Sequence, residues 1–300
     1  MGDDDVLRAI DAGLAFVDRS WWRKIAVTGS DAAGWLGDLI SADISGLRSG
    51  GAAHSLLLSP TGSVRATFTV AMPGDALLLI QDPSQAPVER LLAPYVLSSD
   101  VRLVDRSAEL ALFAFPAGSG IGSPPGALAT SPSSAGAGAG TDLTAAASER
   151  DPLAGALSSS RRRIGEDDVE RWRVRTGVPK LGVDAFDSDL PQEAGLATAV
   201  SFNKGCYLGQ EAVARTNNLG HPRRVVLHLT ADDPVAAGDA VLTGDDPAGD
   251  VTSSTQVEGR WWLLARVRWE SHGAALRTAG GVPLVPAGAA PKRSDRPISR

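Results

Sequence analysis

The sequence predicts an α+β protein, and three observations lead to this fold class. Its 300 residues are 43% hydrophobic and 21% charged, which is typical of a globular chain of about two domains with a buried core. Strand and helix patterns alternate irregularly, with tight hairpins, as far as Phe115. From Arg223 onward, strand patterns separated by Asp, Gly and Pro turns dominate. This mixed order favours antiparallel pairing over a doubly wound parallel sheet.

The amino-terminal elements follow from their apolar spacing. Residues 23–27 alternate apolar and polar side chains, as a half-buried strand does. Ser30 can cap a helix whose apolar residues have i, i+3, i+4 spacing. Residues 56–70 predict a hairpin, because two apolar runs flank a turn that contains Pro60 and Gly62. The remaining predicted elements are strands at 76–80, 101–104 and 110–115 and a short helix at 88–92.

Composition changes abruptly between Ala117 and Ser160. This stretch is mostly Gly, Ala, Ser, Pro and Thr, and Gly and Ala alternate over residues 136–140. Because it offers few large apolar side chains for burial, we expect a flexible insert. Its glycines do not have the GxGxxG spacing of a nucleotide-binding loop. We also expect the tail from Pro291 to Arg300 to be frayed, since it has no apolar periodicity.

Regular structure is predicted again after this insert. Acidic residues directly after Gly165 suit the start of a helix, and Val169, Trp172 and Thr176 share one face of it. A further helix is expected to follow residues 204–211. A small antiparallel barrel or sandwich is predicted from strand patterns at 225–229, 240–242, 251–256 and 261–269.

Charge, cysteine content and residue spacing exclude several functional classes. A net charge of −6 argues against a broad nucleic-acid or anionic-membrane surface. No apolar run approaches the roughly 20 residues that a membrane span needs, so no transmembrane segment is expected. The acidic start, Met1–Asp5, is unlike a signal or transit peptide, and a single cysteine fits a cytoplasmic location. One Cys and four scattered His show no metal-binding spacing, so no metal site is predicted.

Residues 201–215 hold the most informative pattern of the chain. Cys206, the only cysteine, comes two residues after Lys204, one of only four lysines, and Gly205 and Gly209 lie close by. Two interpretations stay open from these residues alone. A Cys near Lys and Gly at a turn suits an accessible, activated thiol, whereas free cysteines commonly fill protein cores.

The same stretch supplies polar groups for a ligand. Gln210 and Glu211 offer an amide and a carboxylate, which suit the edge of a heterocycle. Arg215 follows Glu211 by four residues, so on a helix the two side chains share a face. We therefore treat these three residues as candidates for ligand contacts.

Residues 204–211 read KGCYLGQE and resemble the KGCYxGQE signature of the YgfZ family, folate-binding proteins that assist iron–sulfur cluster assembly or repair. The similarity extends to residues 25–36, 56–70, 172–196 and 218–224. The family shares its fold with the glycine-cleavage T-protein, an aminomethyltransferase that uses tetrahydrofolate. The resemblance therefore implies two interlocked α+β subdomains in residues 1–219 and a carboxy-terminal antiparallel β-barrel in residues 220–300, around a folate-sized cavity.

The resemblance also implies a cofactor, partners and site residues. Tetrahydrofolate or a derivative would be bound, and iron–sulfur enzymes or their assembly factors would be the protein partners. Cys206 would be the functional thiol, and Lys204 would favour the thiolate by its charge. The expected folate contacts are Arg175, Glu193, Tyr207, Gln210, Glu211 and Arg215.

Two positions depart from the T-protein pattern. Ala66 and Thr67 stand where T-proteins carry an acidic pair, and an alanine cannot act as a base or stabilise a cationic intermediate. Arg175 stands where T-proteins read the pterin with a glutamate, and a guanidinium cannot accept N–H donors. Either the folate tilts differently, Glu193 or Glu211 substitutes, or folate binding is weak.

The differences at Ala66, Thr67 and Arg175 determine which function we expect. We expect a folate-binding accessory protein for iron–sulfur enzymes that lacks aminomethyltransferase activity, and whether it catalyses another reaction stays open. The alternative is a tetrahydrofolate-dependent aminomethyltransferase or other one-carbon transferase. A third interpretation is a binding scaffold whose cysteine is only structural.

Overall fold

The computed structural model describes residues 3–74, 76–118, 121–133 and 140–288. These residues form two five-stranded sheets, a closed barrel and six α-helices. The helices are α1 (Asp3–Asp11), α2 (Ala32–Leu39), α3 (Val88–Leu92), α4 (Arg150–Ser158), α5 (Glu166–Thr176) and α6 (Gln210–Leu219). None of the described helices has the apolar length that a membrane crossing requires.

The strands supply most of the framework. They are β1 (Ala15–Asp18), β2 (Arg23–Thr28), β3 (Ala52–Leu58), β4 (Val64–Ala71), β5 (Leu77–Gln81), β6 (Arg102–Asp105), β7 (Leu110–Phe115), β8 (Ala127–Pro132), β9 (Thr141–Ala146), β10 (Arg162–Ile164), β11 (Arg224–Ala231), β12 (Ala240–Thr243), β13 (Asp246–Val257), β14 (Arg260–Arg268), β15 (Leu276–Thr278) and β16 (Pro283–Pro286).

The chain path interlocks the two open sheets. The first sheet has the strand order β10-β1-β7-β9-β8, and the second has the order β3-β4-β5-β2-β6. After β1, the chain builds the whole second sheet before it returns to the first sheet with β7. Neither sheet is therefore one continuous piece of chain. This arrangement confirms the predicted pair of interlocked α+β subdomains.

The β3–β4 hairpin has two faces with different surroundings. Ala66 and Phe68 are buried in a core that includes residues of α2 and α3. Because successive side chains of a strand alternate in direction, Thr67 and Thr69 lie on the opposite face. His54 pairs with Thr69 across the hairpin and shares that face. The opposite face forms one wall of the central cavity.

The carboxy-terminal strands close into an antiparallel barrel, as predicted. Its strand order is β11-β14-β13-β12-β15-β16, and β16 pairs with β11 to complete the ring. Alternate apolar residues of each strand fill the interior. Helix α5 packs against β13 and β14 and so connects the barrel to the first sheet.

The structure differs from the flexible insert that composition predicts between Ala117 and Ser160. Strands β8 and β9 and helix α4 lie within it. Leu143 and Leu153 are fully buried against Phe16 and Phe113 of the first sheet, whose rings supply the bulk that the insert lacks. Most of the Gly–Ala run at 136–140 and the whole predicted frayed tail at 291–300 lie outside the described residues.

Candidate functional site

Lys204 fixes the signature loop to the carboxy-terminal end of α2. Its Nζ donates hydrogen bonds to the carbonyl oxygens of Gly37 (2.7 Å), Ile40 (2.9 Å) and Ala42 (2.8 Å). A cation is favourable at this end of a helix, where carbonyl groups lack intrahelical partners. Burial lowers the pKa of Lys204, while nearby Asp43 acts in the opposite direction. The ammonium therefore has a structural role, and its predicted effect on the Cys206 thiol stays a prediction.

Cys206 is a free, exposed cysteine on this loop. The next residue, Tyr207, is buried in an apolar cluster that includes Leu56 and Leu58 of the hairpin. The loop thus directs its thiol outward while Tyr207 holds it to the protein. Of the two interpretations left open by the sequence, this exposure supports the accessible thiol over the core filler.

Tyr207 and Gln210 organise the turn that leads into α6. The Gln210 side-chain oxygen accepts a hydrogen bond from the Tyr207 backbone N–H at 3.3 Å. Burial raises the pKa of the Tyr207 phenol, and its hydroxyl has no hydrogen-bond partner among the described residues. Neither side chain lines the central cavity described below.

The other predicted ligand residues of this region lie around a surface groove of about 420 Å³. Glu211 and Arg215 are exposed on α6 and form an ion pair at 3.2 Å. Glu193 is buried, and its carboxylate accepts hydrogen bonds from the backbone N–H groups of Leu190 and Arg223, each at 3.0 Å. The structure thus groups these three residues together, apart from the central cavity.

Arg175 lies outside the central cavity as well. Its guanidinium forms an ion pair with Asp11 of α1 on the opposite side of α5. The residues of α5 that do line the cavity include Glu166, Glu170 and Arg173, which recur at helical spacing.

The central cavity has a volume of about 350 Å³ and lies between the second sheet, α5 and the loops that follow it. Its apolar lining includes Trp22, Ile80 and Val169. Its carboxylates come from Asp82, Glu166 and Glu170. An apolar pocket of this size with a few convergent polar groups is typical of small-molecule sites.

Ion pairs made by two buried arginines hold the charged wall of the cavity in place. Arg173 donates to Glu170 at 2.8 Å and to Asp184 at 2.7 Å, and its guanidinium is buried. Arg19 donates two hydrogen bonds to Glu166, at 2.9 and 2.8 Å, and lies 4.0 Å from the centre of the Trp22 ring. Such paired geometry restricts the side chains, so the cavity wall is preorganised.

Thr67 is one of the two residues that stand in place of the acidic pair of T-proteins, and it lies on the cavity face of the hairpin. Its backbone N–H donates a hydrogen bond to the side-chain oxygen of Gln85 at 2.8 Å. Its hydroxyl oxygen accepts one from the side-chain N–H of Gln85 at 2.9 Å. Ala66 points into the core and is fully buried. The cavity carboxylates therefore come from elements other than this hairpin.

His54 faces the cavity from the hairpin, and sequence reasoning did not select it. It also lines a second cavity of about 330 Å³, as do Thr69 and Thr198. Burial lowers the pKa of His54 to about 4, so the imidazole is neutral at pH 7. Its backbone pairs with Thr69 in the β3–β4 ladder, whereas its imidazole has no hydrogen-bond partner among the described residues. Its position on the same hairpin face as Thr67 is the signal that could have identified it.

No cluster of three or more metal-ligating side chains occurs among the described residues.

Comparison with known proteins defines the class of this chain. No family model matches it. The aminomethyltransferase T of the glycine cleavage system from Bartonella henselae has the same fold, with a TM-score of 0.82 and 18% identity over 96% of this chain and 88% of that one. The chain therefore has the T-protein fold.

Several proteins are similar to this chain in sequence. The chain is 26% identical to a chloroplastic "putative transferase" of Arabidopsis thaliana, over 84% of this chain and 64% of that protein. It is 34% identical to the tRNA-modifying protein YgfZ of Sodalis glossinidius and 32% identical to the mouse mitochondrial iron–sulfur cluster assembly factor IBA57. These two matches cover 33% and 34% of this chain, and 34% and 28% of the relatives. These two matches show that about a third of this chain is similar to proteins named YgfZ and IBA57.

Proposed function

We propose that this chain is a folate-binding accessory protein that supports the assembly or repair of iron–sulfur enzymes. The observation that carries the proposal is the KGCYLGQE loop, which presents Cys206 at the surface while Lys204 fixes it to α2. The relatives named YgfZ and IBA57 support the same role. Iron–sulfur enzymes or their assembly factors are the proposed partners, and the cytoplasm is the proposed location.

The lining of the central cavity supports the binding of the ring of a reduced folate there. The fused ring of a folate carries N–H donors, which require acceptors, and Asp82 and Glu170 supply carboxylates there. Trp22 offers an aromatic surface for the same ring. In this proposal the cavity carboxylates take the role for which Glu193 or Glu211 was considered from the sequence. A bound folate would supply a carrier for one-carbon units.

Calorimetric titration with tetrahydrofolate tests this proposal. The wild-type chain should show saturable binding, and Glu170→Gln should weaken it by about tenfold because one charged acceptor is lost. Glu109→Gln is the matched control, since Glu109 also pairs with an arginine three residues away but is exposed and outside the cavity. No binding by the wild type at millimolar tetrahydrofolate would contradict the proposal.

One-carbon transfer is the second candidate function, and the T-protein fold together with the plant relative's name favours it. The absence of a carboxylate at Ala66 and Thr67 argues against aminomethyl transfer itself. A reconstituted glycine-cleavage assay tests the aminomethyl form of this candidate, for which the accessory role predicts only background turnover.

A further inference from the structure

The barrel strand β13 contains a bulge at Thr252. Val251 and Ser253 pair with adjacent residues of β14, so Thr252 between them has no partner in the ladder. Val251 packs in the barrel interior, whereas Val257 packs outside it, in a cluster with residues of α1 and α5. A regular strand would place these two side chains on one face, because every second residue points the same way. The bulge therefore turns the second half of β13 toward α5.

The bulge allows two consecutive hydroxyls to reach one carboxylate oxygen. Thr252 and Ser253 donate hydrogen bonds to Oδ1 of Asp184, at 2.6 and 2.7 Å. Asp184 follows α5 and is fully buried. Its Oδ2 accepts hydrogen bonds from the Arg173 guanidinium at 2.7 Å and from the Lys180 backbone N–H at 3.0 Å. Because four donors from three parts of the chain surround it, this buried carboxylate is held in one orientation.

Arg173 uses all five of its N–H donors. Besides Asp184, its guanidinium bonds the Val178 carbonyl oxygen and the Ser253 hydroxyl oxygen, each at 3.0 Å. The other two donors bind the two carboxylate oxygens of Glu170. A guanidinium has five N–H donors, so these contacts leave none for a ligand. The effect of Arg173 on the cavity is therefore to orient Glu170.

Glu170 is the exposed member of this network. Its side chain is 43% exposed and lines the central cavity, whereas Arg173 and Asp184 are buried. A free glutamate side chain samples several rotamers, and fixing one of them when a ligand binds weakens the affinity. The network fixes the rotamer in the ligand-free protein, so the carboxylate is preorganised.

We propose that the hydroxyls of Thr252 and Ser253 are positioning groups that act through Asp184. They hold Arg173, and Arg173 holds Glu170 in the orientation that binds a ligand. The inference rests on the proposed function, in which Glu170 accepts hydrogen bonds from the ring of a folate. It gives the barrel a role in binding, since these residues of β13 act on a cavity that they do not line.

Calorimetric titration of the full chain with tetrahydrofolate tests the inference. Thr252→Val and Ser253→Ala should each weaken binding by about fivefold, because each removes one donor to Asp184. Thr252→Ser is the conservative variant that keeps the hydroxyl, and it should retain wild-type binding. Thr230→Val is the matched control, since it removes a buried barrel hydroxyl that bonds the Val285 carbonyl oxygen instead.

A double-mutant cycle shows whether the hydroxyls act through Glu170. If they do, Ser253→Ala introduced into Glu170→Gln should change tetrahydrofolate binding by less than about twofold. A general structural effect of Ser253→Ala would weaken binding by the same factor in both backgrounds.

The pattern of outcomes separates the inference from the proposed function. If the wild type binds tetrahydrofolate and Thr252→Val and Ser253→Ala bind it equally well, the inference is overturned and the folate proposal stands. Equal losses with and without Glu170, or a loss in Thr230→Val as large as that in Ser253→Ala, overturn it as well. No binding by the wild type contradicts the proposed function and the inference together. Thr252 is half-buried, so the comparison of Thr252→Val with Thr252→Ser decides the question even if Ser253→Ala does not fold.

Discussion

Lys204 and Cys206 are two residues apart, yet their side chains have opposite surroundings. The Lys204 ammonium is held by three backbone carbonyl oxygens, whereas the Cys206 thiol is exposed. Substitutions at the two positions should therefore have separable effects. Lys204 holds the loop through these contacts, and Cys206 is the functional group that we propose for the loop.

Lys204→Met should lower the free energy of unfolding by about 2 kcal/mol, because hydrogen bonds from a charged donor to three carbonyl groups are lost. Lys180→Met is the control. The Lys180 ammonium lies 3.8 Å from Asp82 and 3.9 Å from Glu170 in a partly exposed setting, where ion pairs contribute little. Urea denaturation of both variants checks the difference. Equal stability of the two variants would show that the carbonyl contacts do not hold the loop.

Cys206→Ser should leave the melting temperature unchanged, because an exposed thiol makes no core contacts. The same variant should fail to restore iron–sulfur enzyme activity in cells that lack their own YgfZ protein, since serine has neither the nucleophilicity nor the metal affinity of a thiolate. Thermal melting and enzyme assays in those cells measure the two effects. Full restoration by the serine variant would make the thiol dispensable.

His54 predicts a pH dependence of stability. Its pKa is about 4 in the folded protein and about 6.5 in an unfolded chain, so only the unfolded state takes up a proton as the pH falls between these values. This contribution is fully present above pH 6.5 and is lost as the pH falls toward 4. When the pH is lowered from 7 to 4.5, the free energy of unfolding of the wild type should fall by about 1–2 kcal/mol more than that of His54→Asn. Parallel denaturation curves at all pH values would contradict this.

At the scale of elements, the signature turn packs directly on the turn of the β3–β4 hairpin. Gly209, which precedes α6, has a φ of +80°, and a Cβ there would lie 2.3 Å from the Ser59 carbonyl oxygen. A Cβ on Gly62 of the hairpin would lie 2.9 Å from the Cβ of Ala212. Both contacts are with parts of the chain that cannot easily move away.

Gly209→Ala should therefore destabilise the protein by at least about 2 kcal/mol, through both the backbone conformation and the steric conflict. Gly205→Ala is a control within the same motif, because a Cβ there has no neighbour within 4 Å. Chemical denaturation should show a large effect at the first position and a change within about 0.5 kcal/mol at the second. Similar effects at both positions would contradict the close packing of the two turns.

Sequence patterns predicted those helices and strands whose buried face is determined by their own residues. Helix α5 and strand β7 have the expected bounds, since their own apolar spacing determines which face is buried. Strand β9 and helix α4 were missed because their small residues are buried by Phe16 and Phe113, which are distant in sequence. In the same way, the motif predicted the importance of Lys204 but not its carbonyl partners at the end of α2 and just after it, more than 160 residues away.

At the scale of the whole molecule, interlocking brings distant segments to one cavity. Trp22 follows β1, His54 lies in the hairpin of the second sheet, and Glu170 lies in α5 after the chain has returned to the first sheet. No local pattern marks these residues as neighbours. The signature loop could be recognised from eight consecutive residues. The residues of the cavity wall could be identified only from the three-dimensional structure, because they are distant in sequence.

In the function that we propose, the chain supports iron–sulfur enzymes and does not transfer aminomethyl groups. The most direct measurement expresses the wild-type chain in two bacterial strains, one lacking its YgfZ protein and one lacking its T-protein. We expect restored iron–sulfur enzyme activity in the first strain and no glycine cleavage in the second. Restored glycine cleavage without any gain in iron–sulfur enzyme activity would contradict it.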